Sequence, residues 1–386
     1  DLVAERPRTE NLGEKIGGDP SHTQPPPAQV ATPPPPPAPI VFDEAQSWPA
    51  LFPRLRGAID QDRRKTGRFL LLGSVAPSLM REISESLAGR LALLELTPLL
   101  LPELTASEPP PSPPSSPSPS SSPSPHQQEA TIDRLWFHGG YPDGGILSPD
   151  TQEPVDTAPA FGQWQRDYLS LLAQRDLPSW GLPAKPQVTD RLLRLVAAFH
   201  GQQWNASQVG QNLSLTYQTV NSYMDYLEGA FLVRCLRPWQ ANVGKRLVRR
   251  PKYYWRDSGL LHALLGIDTP ARLLAQPWCG ASWEGFVIEQ ALGVLKATGH
   301  APDPWFFRTS DGHEIDLLVD VAGERWAIEI KLGSAPSTRD LAKLRAAADM
   351  VDATKRVLVS RKTETVEAGN TLLCSLPVLL DKLGGG

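Results

Sequence analysis

The hydrophobic positions of the chain fall into blocks with distinct periods. Apolar order begins at Ile40-Val41-Phe42, and Leu51, Phe52, Leu55 and Ile59 follow at helical spacing. Arg68 to Leu72 reads as a buried strand closed by Gly73-Ser74. A helix around Leu79 to Leu87 and a strand near Leu91 to Leu96 are expected after it. Phe161, Trp164, Tyr168, Leu171 and Leu172 again have helical spacing, until Pro178 and Pro183 break the chain. Leu192, Leu193, Leu195, Val196 and Phe199 mark a helix that Asp190 can cap. Asn205 can cap a second helix carrying Val209 and Leu213, and Thr216 a third with Val220, Tyr223, Met224 and Leu227 on one face. Phe231-Leu232-Val233 then starts a strand, and Lys252-Tyr253-Tyr254-Trp255 returns as its hairpin partner. Three helices followed by a strand pair is the order of a winged helix-turn-helix. The last block predicts a helix near Trp283 to Leu295, strands at Trp305 to Arg308, Glu314 to Val319 and Trp326 to Ile330, a helix over Thr338 to Ala347 and a strand at Arg356 to Ser360. That succession indicates a mixed-sheet α/β domain.

Composition divides the chain further. Forty of the 386 residues are proline, about twice the usual share of around 5%. Nine of the fifteen residues from Pro25 to Pro39 are proline, and Pro109 to Pro125 contains only proline and serine. Such runs favour solvated polyproline II and have little to bury. The expected organisation is a disordered segment at 1–39, an α/β region at 40–107, a low-complexity linker at 108–130, a helical connector at 131–188, the winged helix at 189–270 and the α/β domain at 271–383. A net charge of −4 names no partner, so any basic surface is local. Cys235, Cys279 and Cys374 form neither a disulfide framework nor a zinc knuckle, which suits a reducing, cytoplasmic setting. The apolar stretch Leu91 to Leu104 contains Glu95, Pro98, Pro102 and Glu103 and is too short and polar to span a bilayer. No membrane association is expected, and the oligomeric state is left open. The chain begins at Asp1 with no visible signal peptide, and an upstream piece is expected.

Candidate chemistry concentrates near the C-terminus. Asp316 sits on the second strand of the last domain, and Glu329 and Lys331 are two apart on the third, so they share a face. If the two strands pair, Asp316 lies beside Glu329. Glu284 is on the preceding helix. Carboxylates at close range repel unless a cation sits between them, and hard oxygen ligands suit Mg²⁺ or Mn²⁺. Lys331 then supplies a point charge beside a scissile phosphate or an attacking water. The alternative is a plain Glu329–Lys331 ion pair on a solvated face. Against that, the apolar Ala327, Ile328 and Ile330 make the strand central, where a Glu and a Lys are costly without a purpose.

Asp316, then Ile328-Glu329-Ile330-Lys331, with Trp283-Glu284 upstream, resembles the PD-(D/E)xK nuclease superfamily. More closely the chain resembles a bacterial and archaeal family of AAA-type ATP-binding proteins with a nuclease-like C-terminal domain, DUF4143. Further pieces in order are Val41-Phe42-Asp43-Glu44-Ala45-Gln46, Gly73-Ser74, Leu87-Ala88-Gly89-Arg90, Gly139-Gly140-Tyr141-Pro142, Arg175-Asp176 and Asp257-Ser258-Gly259-Leu260. The resemblance implies a partial P-loop NTPase-like α/β region, a winged helix-turn-helix and a restriction-endonuclease-like α/β domain. It implies Asp316 and Glu329 as metal ligands for Mg²⁺ or Mn²⁺, Lys331 as catalytic lysine and Glu284 as accessory acid. It also implies ATP as cofactor. The leading expectation for function is DNA binding with a Mg²⁺-dependent nuclease capacity; the alternative is a nucleotide-dependent regulatory module in which the nuclease-like domain only docks a partner.

Within that resemblance Asp43 and Glu44 end a Walker B-like strand, Ser74 is sensor-like, and Arg90 faces phosphate, faces a neighbouring subunit or is plainly structural. No Gly-x-x-x-x-Gly-Lys-Ser/Thr run occurs in the sequence. The polyproline stretch stands where the family has its P-loop, so weak or absent ATP binding is expected. Phe231 to Arg256 carries Arg234, Arg237, Lys245, Arg246, Arg249, Arg250, Lys252 and Arg256 with no acid among them. On a wing, Lys245, Arg246, Arg249 and Arg250 would grip DNA phosphates, with Gln218, Asn221 and Ser222 facing the groove. The other reading is an interface to neighbouring domains. His313 is expected as a turn residue rather than a general base.

Overall fold

The computed structural model describes residues 38–45, 48, 50–73, 87–105, 125–148, 162–240, 247–361 and 364–385. The proline-rich runs, and all but Leu87 of the helix expected around Leu79, lie outside these residues.

The N-terminal part pairs β1 (Ile40–Phe42) in parallel with β2 (Phe69–Leu71). Helix α1 (Leu51–Gln61) buries Leu51, Phe52 and Leu55 against Ala45 and Leu87. The expectation of a buried second strand is corrected here, because Leu70 and Leu72 remain 41% and 43% exposed. The small cluster around α1 covers only part of this two-stranded sheet. Leu91 to Leu96 forms no strand: the segment is irregular, and Leu93, Leu94 and Leu96 are exposed. Polar hooks fix it instead, since Glu95 is paired with Arg256 and Lys296.

After α2 (Leu101–Thr105) and α3 (Pro125–His138), helix α4 (Gln163–Leu171) runs through a π turn at Leu172–Asp176. Helix α5 (Pro186–Ala198) starts earlier than the sequence suggests, because proline suits the first turn. Lys185 takes the cap position, while Asp190 pairs with Arg194 at 3.0 Å inside the helix. Helices α6 (Ala206–Leu213) and α7 (Tyr217–Gly229) are capped as expected: Asn205 accepts from the Gln208 N–H and Thr216 from the Thr219 N–H. Leu192, Leu193, Val220, Met224 and Leu227 make the core of this helical part.

The hairpin that follows is not set apart from the C-terminal strands. Strand β3 (Val233–Pro238) pairs antiparallel with β4 (Lys252–Trp255) and parallel with β5 (Trp305–Arg308). The sheet continues through β6 (Glu314–Val321), β7 (Glu324–Ile330), β8 (Lys355–Val359), β9 (Val366–Ala368) and β10 (Thr371–Cys374) in the order β4-β3-β5-β6-β7-β8-β10-β9. Between the hairpin and β5 run α8 (Ser258–Leu264), α9 (Pro270–Leu274) and α10 (Cys279–Ala297). Helix α10 is apolar almost all round because it lies in the interior. With α12 (Leu376–Leu383) it covers one face, where Leu317, Val319, Ile328 and Ile330 are buried. Helix α11 (Thr338–Met350), opened by a capping box of Ser337 and Asp340, packs Leu344, Ala347 and Ala348 on Leu318, Ala327 and Leu358 of the other face.

Two of the sequence motifs form one joint. Asp257 caps α8 by accepting from the Leu260 N–H, and its other oxygen accepts from the Gly140 N–H at 2.8 Å. Gly139 has φ +84°, and a Cβ there would lie 2.3 Å from Asp257 Oδ1, so only glycine fits. The Leu99 N–H donates to the Gly140 carbonyl at 2.8 Å, which ties the N-terminal part to the same joint.

Candidate active site

The C-terminal carboxylates meet where β6 leaves β7. The ladder between these strands runs to Leu317 opposite Ile328. The next residue, Asp316, turns its carboxylate to the partner strand and accepts from the Ile330 N–H at 2.8 Å. A register shift between β5 and β6 at this level separates Ile315 from Leu318 and re-aims the residues between them. Lys331, the residue just past β7, donates to Glu329 at 2.6 Å, so the two side chains share a face as their spacing requires. From α10, Glu284 accepts from Tyr254 Oη at 2.5 Å and Lys252 Nζ at 3.1 Å. Lys252 also pairs with Glu314 at 3.0 Å and lies over the Phe306 ring at 5.3 Å.

The electrostatics are those of acids crowded out of water. Asp316 is 5% exposed. Burial pushes its carboxyl well above the usual range; Glu329 and Glu284 push it further, and Lys252 partly opposes them. Glu329 is raised by burial, against the pull of Lys331. Its Oε2 is buried with no hydrogen-bond partner among the described residues. Lys331 keeps its proton because Glu329 and Asp316 outweigh the cost of burial. Lys252 is only 3% exposed. Burial works against its charge, but Tyr254, Glu284, Asp316 and Glu314 raise it well above the ordinary lysine value.

By chemistry these donors fit a hard divalent cation. Glu329 has a buried, unpartnered carboxylate oxygen and acts electrostatically on Asp316, and Mg²⁺ commonly uses one or two carboxylates and keeps its remaining waters. Among the described residues, however, no three acidic, histidine or cysteine side chains converge closely enough to hold a metal ion. Glu284 is held off by Lys252 and Tyr254. Asp316 and Glu329 are therefore the pair that would hold the ion.

The other predicted residues are placed as follows. Asp43 and Glu44 form an exposed turn after β1, where Asp43 accepts from the Glu44 N–H. Arg90 forks onto Asp60 through two bonds of 2.8 and 2.9 Å, and with Arg63 it holds that carboxyl well below its usual range. The pairing accords with a structural role for Arg90. Ser74, Lys245 and Arg246 lie outside the described residues. Arg249 and Arg250 are exposed on the segment leading into β4, where the Val248 N–H donates to the Arg308 carbonyl. Three other members of the basic run turn inward. Arg234 and Arg256 grip Glu289, and Lys252 enters the carboxylate cluster. His313 sits in the β5–β6 turn, with its carbonyl accepting from the Thr309 N–H. Sequence reasoning missed Lys252, Tyr254 and Glu314 as site residues. The only available signal was the two-residue spacing of Lys252 and Tyr254 on one strand.

Residues 26–105 match an AAA domain, residues 279–379 match DUF4143, a domain of unknown function, and residues 129–271 match another domain of unknown function, DUF8612. The chain belongs to the family that joins an AAA domain to DUF4143. In this AAA–DUF4143 protein, Glu284, Glu314, Asp316 and Glu329 come from the DUF4143 segment. Lys252 and Tyr254 come from the segment before it. Two relatives are the uncharacterized proteins Mb2031c of Mycobacterium bovis and Rv2008c of Mycobacterium tuberculosis. Each is 38% identical over 299 residues, covering 77% of this chain and 59% of the relative. The chain thus spans less than two thirds of the length of these relatives. No solved structure matches it. None of the described helices is long and apolar enough to cross a membrane.

Proposed function

We propose that this ATPase-like family member acts on DNA, with a Mg²⁺- or Mn²⁺-dependent phosphodiesterase site of the restriction-endonuclease type in its DUF4143 segment. The observation that carries the reading is the buried Asp316 beside the half-buried Glu329, whose Oε2 has no partner among the described residues, with Lys331 bonded to the other Glu329 oxygen. When bound, the ion supplies a Lewis acid and a more acidic water. Asp316 and Glu329 orient that ion, and Lys331 presents its ammonium to a scissile phosphate. Arg249 and Arg250, exposed just before the strand that delivers Lys252, offer charge for the flanking phosphates. The order α5, α6, α7, β3, β4 is that of a winged helix-turn-helix, with Gln218, Asn221 and Ser222 exposed on α7. The three free cysteines suit a reducing cytoplasm. The test is cleavage of plasmid and branched DNA with Mg²⁺ or Mn²⁺. Asp316→Ala should abolish it, and cleavage that survives the substitution sinks the assignment.

A second reading, in which the DUF4143 segment is a docking fold without catalysis, has one observation in its favour: Glu284 is engaged by Lys252 and Tyr254 instead of joining Asp316 and Glu329. Absence of cleavage together with unaltered fold in Asp316→Ala would favour it.

A further inference from the structure

The carboxylate site contains a cation of its own. Lys252 arrives from β4, outside the DUF4143 segment, and its ammonium lies between Glu284 at 3.1 Å and Glu314 at 3.0 Å. The ammonium lies over the ring of Phe306, 5.3 Å from its centroid, so it is also backed by a π face. Tyr254, two residues on and therefore on the same face of β4, donates to the same Glu284 oxygen. Glu284 is thus held from two sides by one strand. A cross-strand salt bridge on a solvated surface would contribute little and specify nothing. This one is buried at the lysine end and fixes which way an acid on α10 points.

We propose that Lys252 and Tyr254 form an intramolecular clamp that withholds Glu284 from the metal pair and occupies the charge position of a divalent cation, so that strand β4 sets the cation affinity of the DUF4143 site. The inference rests on the reading that Asp316 and Glu329 hold such an ion. Its physical basis is competition for charge. With the ammonium in place, Glu284 has its counter-charge, and Glu314 is shared between Lys252 and Arg308. With it removed, Glu314 keeps Arg308, but Glu284 is left without its lysine near the buried Asp316, and a divalent cation becomes the available counter-charge for these two acids. The clamp also makes the site depend on the preceding segment. A displacement of β4 along the sheet edge would free Glu284 and remove a positive charge in one motion. Arg249 and Arg250 stand on the same segment, so phosphate contact there bears on the strand that carries the clamp.

The experiment is calorimetric titration of the full chain with MnCl₂ and MgCl₂, without any nucleic acid. Lys252→Met keeps an unbranched apolar side chain of similar length and removes the charge. It should bind Mn²⁺ at least about tenfold more tightly than the wild type, an effect of the size of one close charge pair at intermediate dielectric. Lys252→Arg should resemble the wild type. The decisive comparison is Glu284→Gln in each background. It should change affinity less than about threefold in the wild type, where Glu284 is clamped, and remove the gain in Lys252→Met, where Glu284 has become a ligand. Tyr254→Phe releases Glu284 from one side only and should give a smaller gain in the same direction. It serves as the opening variant if Lys252→Met does not fold. Wild-type binding with no gain in either opening variant overturns the clamp and leaves the metal reading standing. A wild-type affinity that falls on Glu284→Gln as far as on Asp316→Asn also overturns the clamp, because Glu284 would already be a ligand. No binding in any variant overturns both.

Discussion

Replacing Glu289 by glutamine isolates the electrostatic joint between α10 and the β3–β4 hairpin. Glu289 is buried on α10 and accepts from Arg234 and from Arg256, whose Nε lies 2.9 Å away. Burial alone would raise its carboxyl, but the two guanidiniums outweigh that and hold it at about 2, against an ordinary 4.5. At about 1.4 kcal/mol per tenfold change in proton affinity, the difference is worth about 3 kcal/mol of stability. The folded value is the lower one. The contribution is therefore complete above pH 4.5 and is lost as pH falls through about 2. At pH 3 about 1 kcal/mol of it remains. Glutamine fills the same space and still accepts, but leaves the half-buried Arg234 without its counter-charge and the buried Arg256 with Glu95 alone. A penalty of about 3–5 kcal/mol at pH 7 is expected. Urea denaturation of wild type and Glu289→Gln, followed by tryptophan fluorescence at pH 7 and pH 3, measures it. The gap between the two proteins should shrink by about 2 kcal/mol at the lower pH, since the remaining carboxylates titrate in both. A gap that stays constant or widens on acidification refutes the reasoning.

Asp257 gives the opposite slope. Burial pushes its carboxyl up to about 6, against the pull of the Leu260 and Gly140 N–H groups, so its contribution is complete below 3.8 and lost as pH rises through about 6. Relative to Asp257→Asn, which does not titrate, wild-type stability should fall by about 2 kcal/mol between pH 4 and pH 7, and a pH-independent difference in the same denaturation series rejects this. For the exposed pair Arg249 and Arg250, double reversal to glutamate should weaken duplex binding and flatten its salt dependence, with the logarithmic slope smaller by roughly 2. Fluorescence anisotropy over a salt series that shows no change in slope removes these residues from the DNA interface.

The periodic elements were legible because local pattern and tertiary burial agree there. Strand β5 has the boundaries that the apolar run Trp305 to Arg308 marks out, and α10, β6, β7 and α11 extend only a few residues beyond the expected ranges. The caps Asn205 and Thr216 followed from side-chain chemistry alone. Leu91 to Leu96 misled because apolar content was read as strand, whereas backbone pairing requires a neighbouring edge and here Glu95 is drawn to Arg256 and Lys296. The hairpin misled in a different way. Its alternation marks two strands but does not say which sheet they join, and the parallel contact of Arg237 and Pro238 with β5 is long-range information. The same limit hid Lys252. In sequence it is one of eight basic residues in an acid-free run. Only the sheet order brings it to Glu284 and Glu314.

Helix α10 explains why the AAA-matched segment and the carboxylate site are not independent modules. Its 19 residues span about 28 Å. Near one end Glu284 enters the site. Glu289 follows with the two arginines of the hairpin, and the side chain of Gln290 accepts from the Leu101 N–H while donating to the Leu99 carbonyl. In the last turn Lys296 holds Glu95 at 2.5 Å. The exposed Leu93, Leu94 and Leu96 provide little burial, so residues 91–97 owe their course to these polar contacts. The AAA-matched segment is therefore attached to the helix that carries Glu284, and it is attached by charge and hydrogen bonds as well as by the apolar seat of Leu100 and Leu101. Changes in the ionic contacts of Glu95 consequently act on α10 directly, whereas changes on the exposed face of β1 and β2 have no such path.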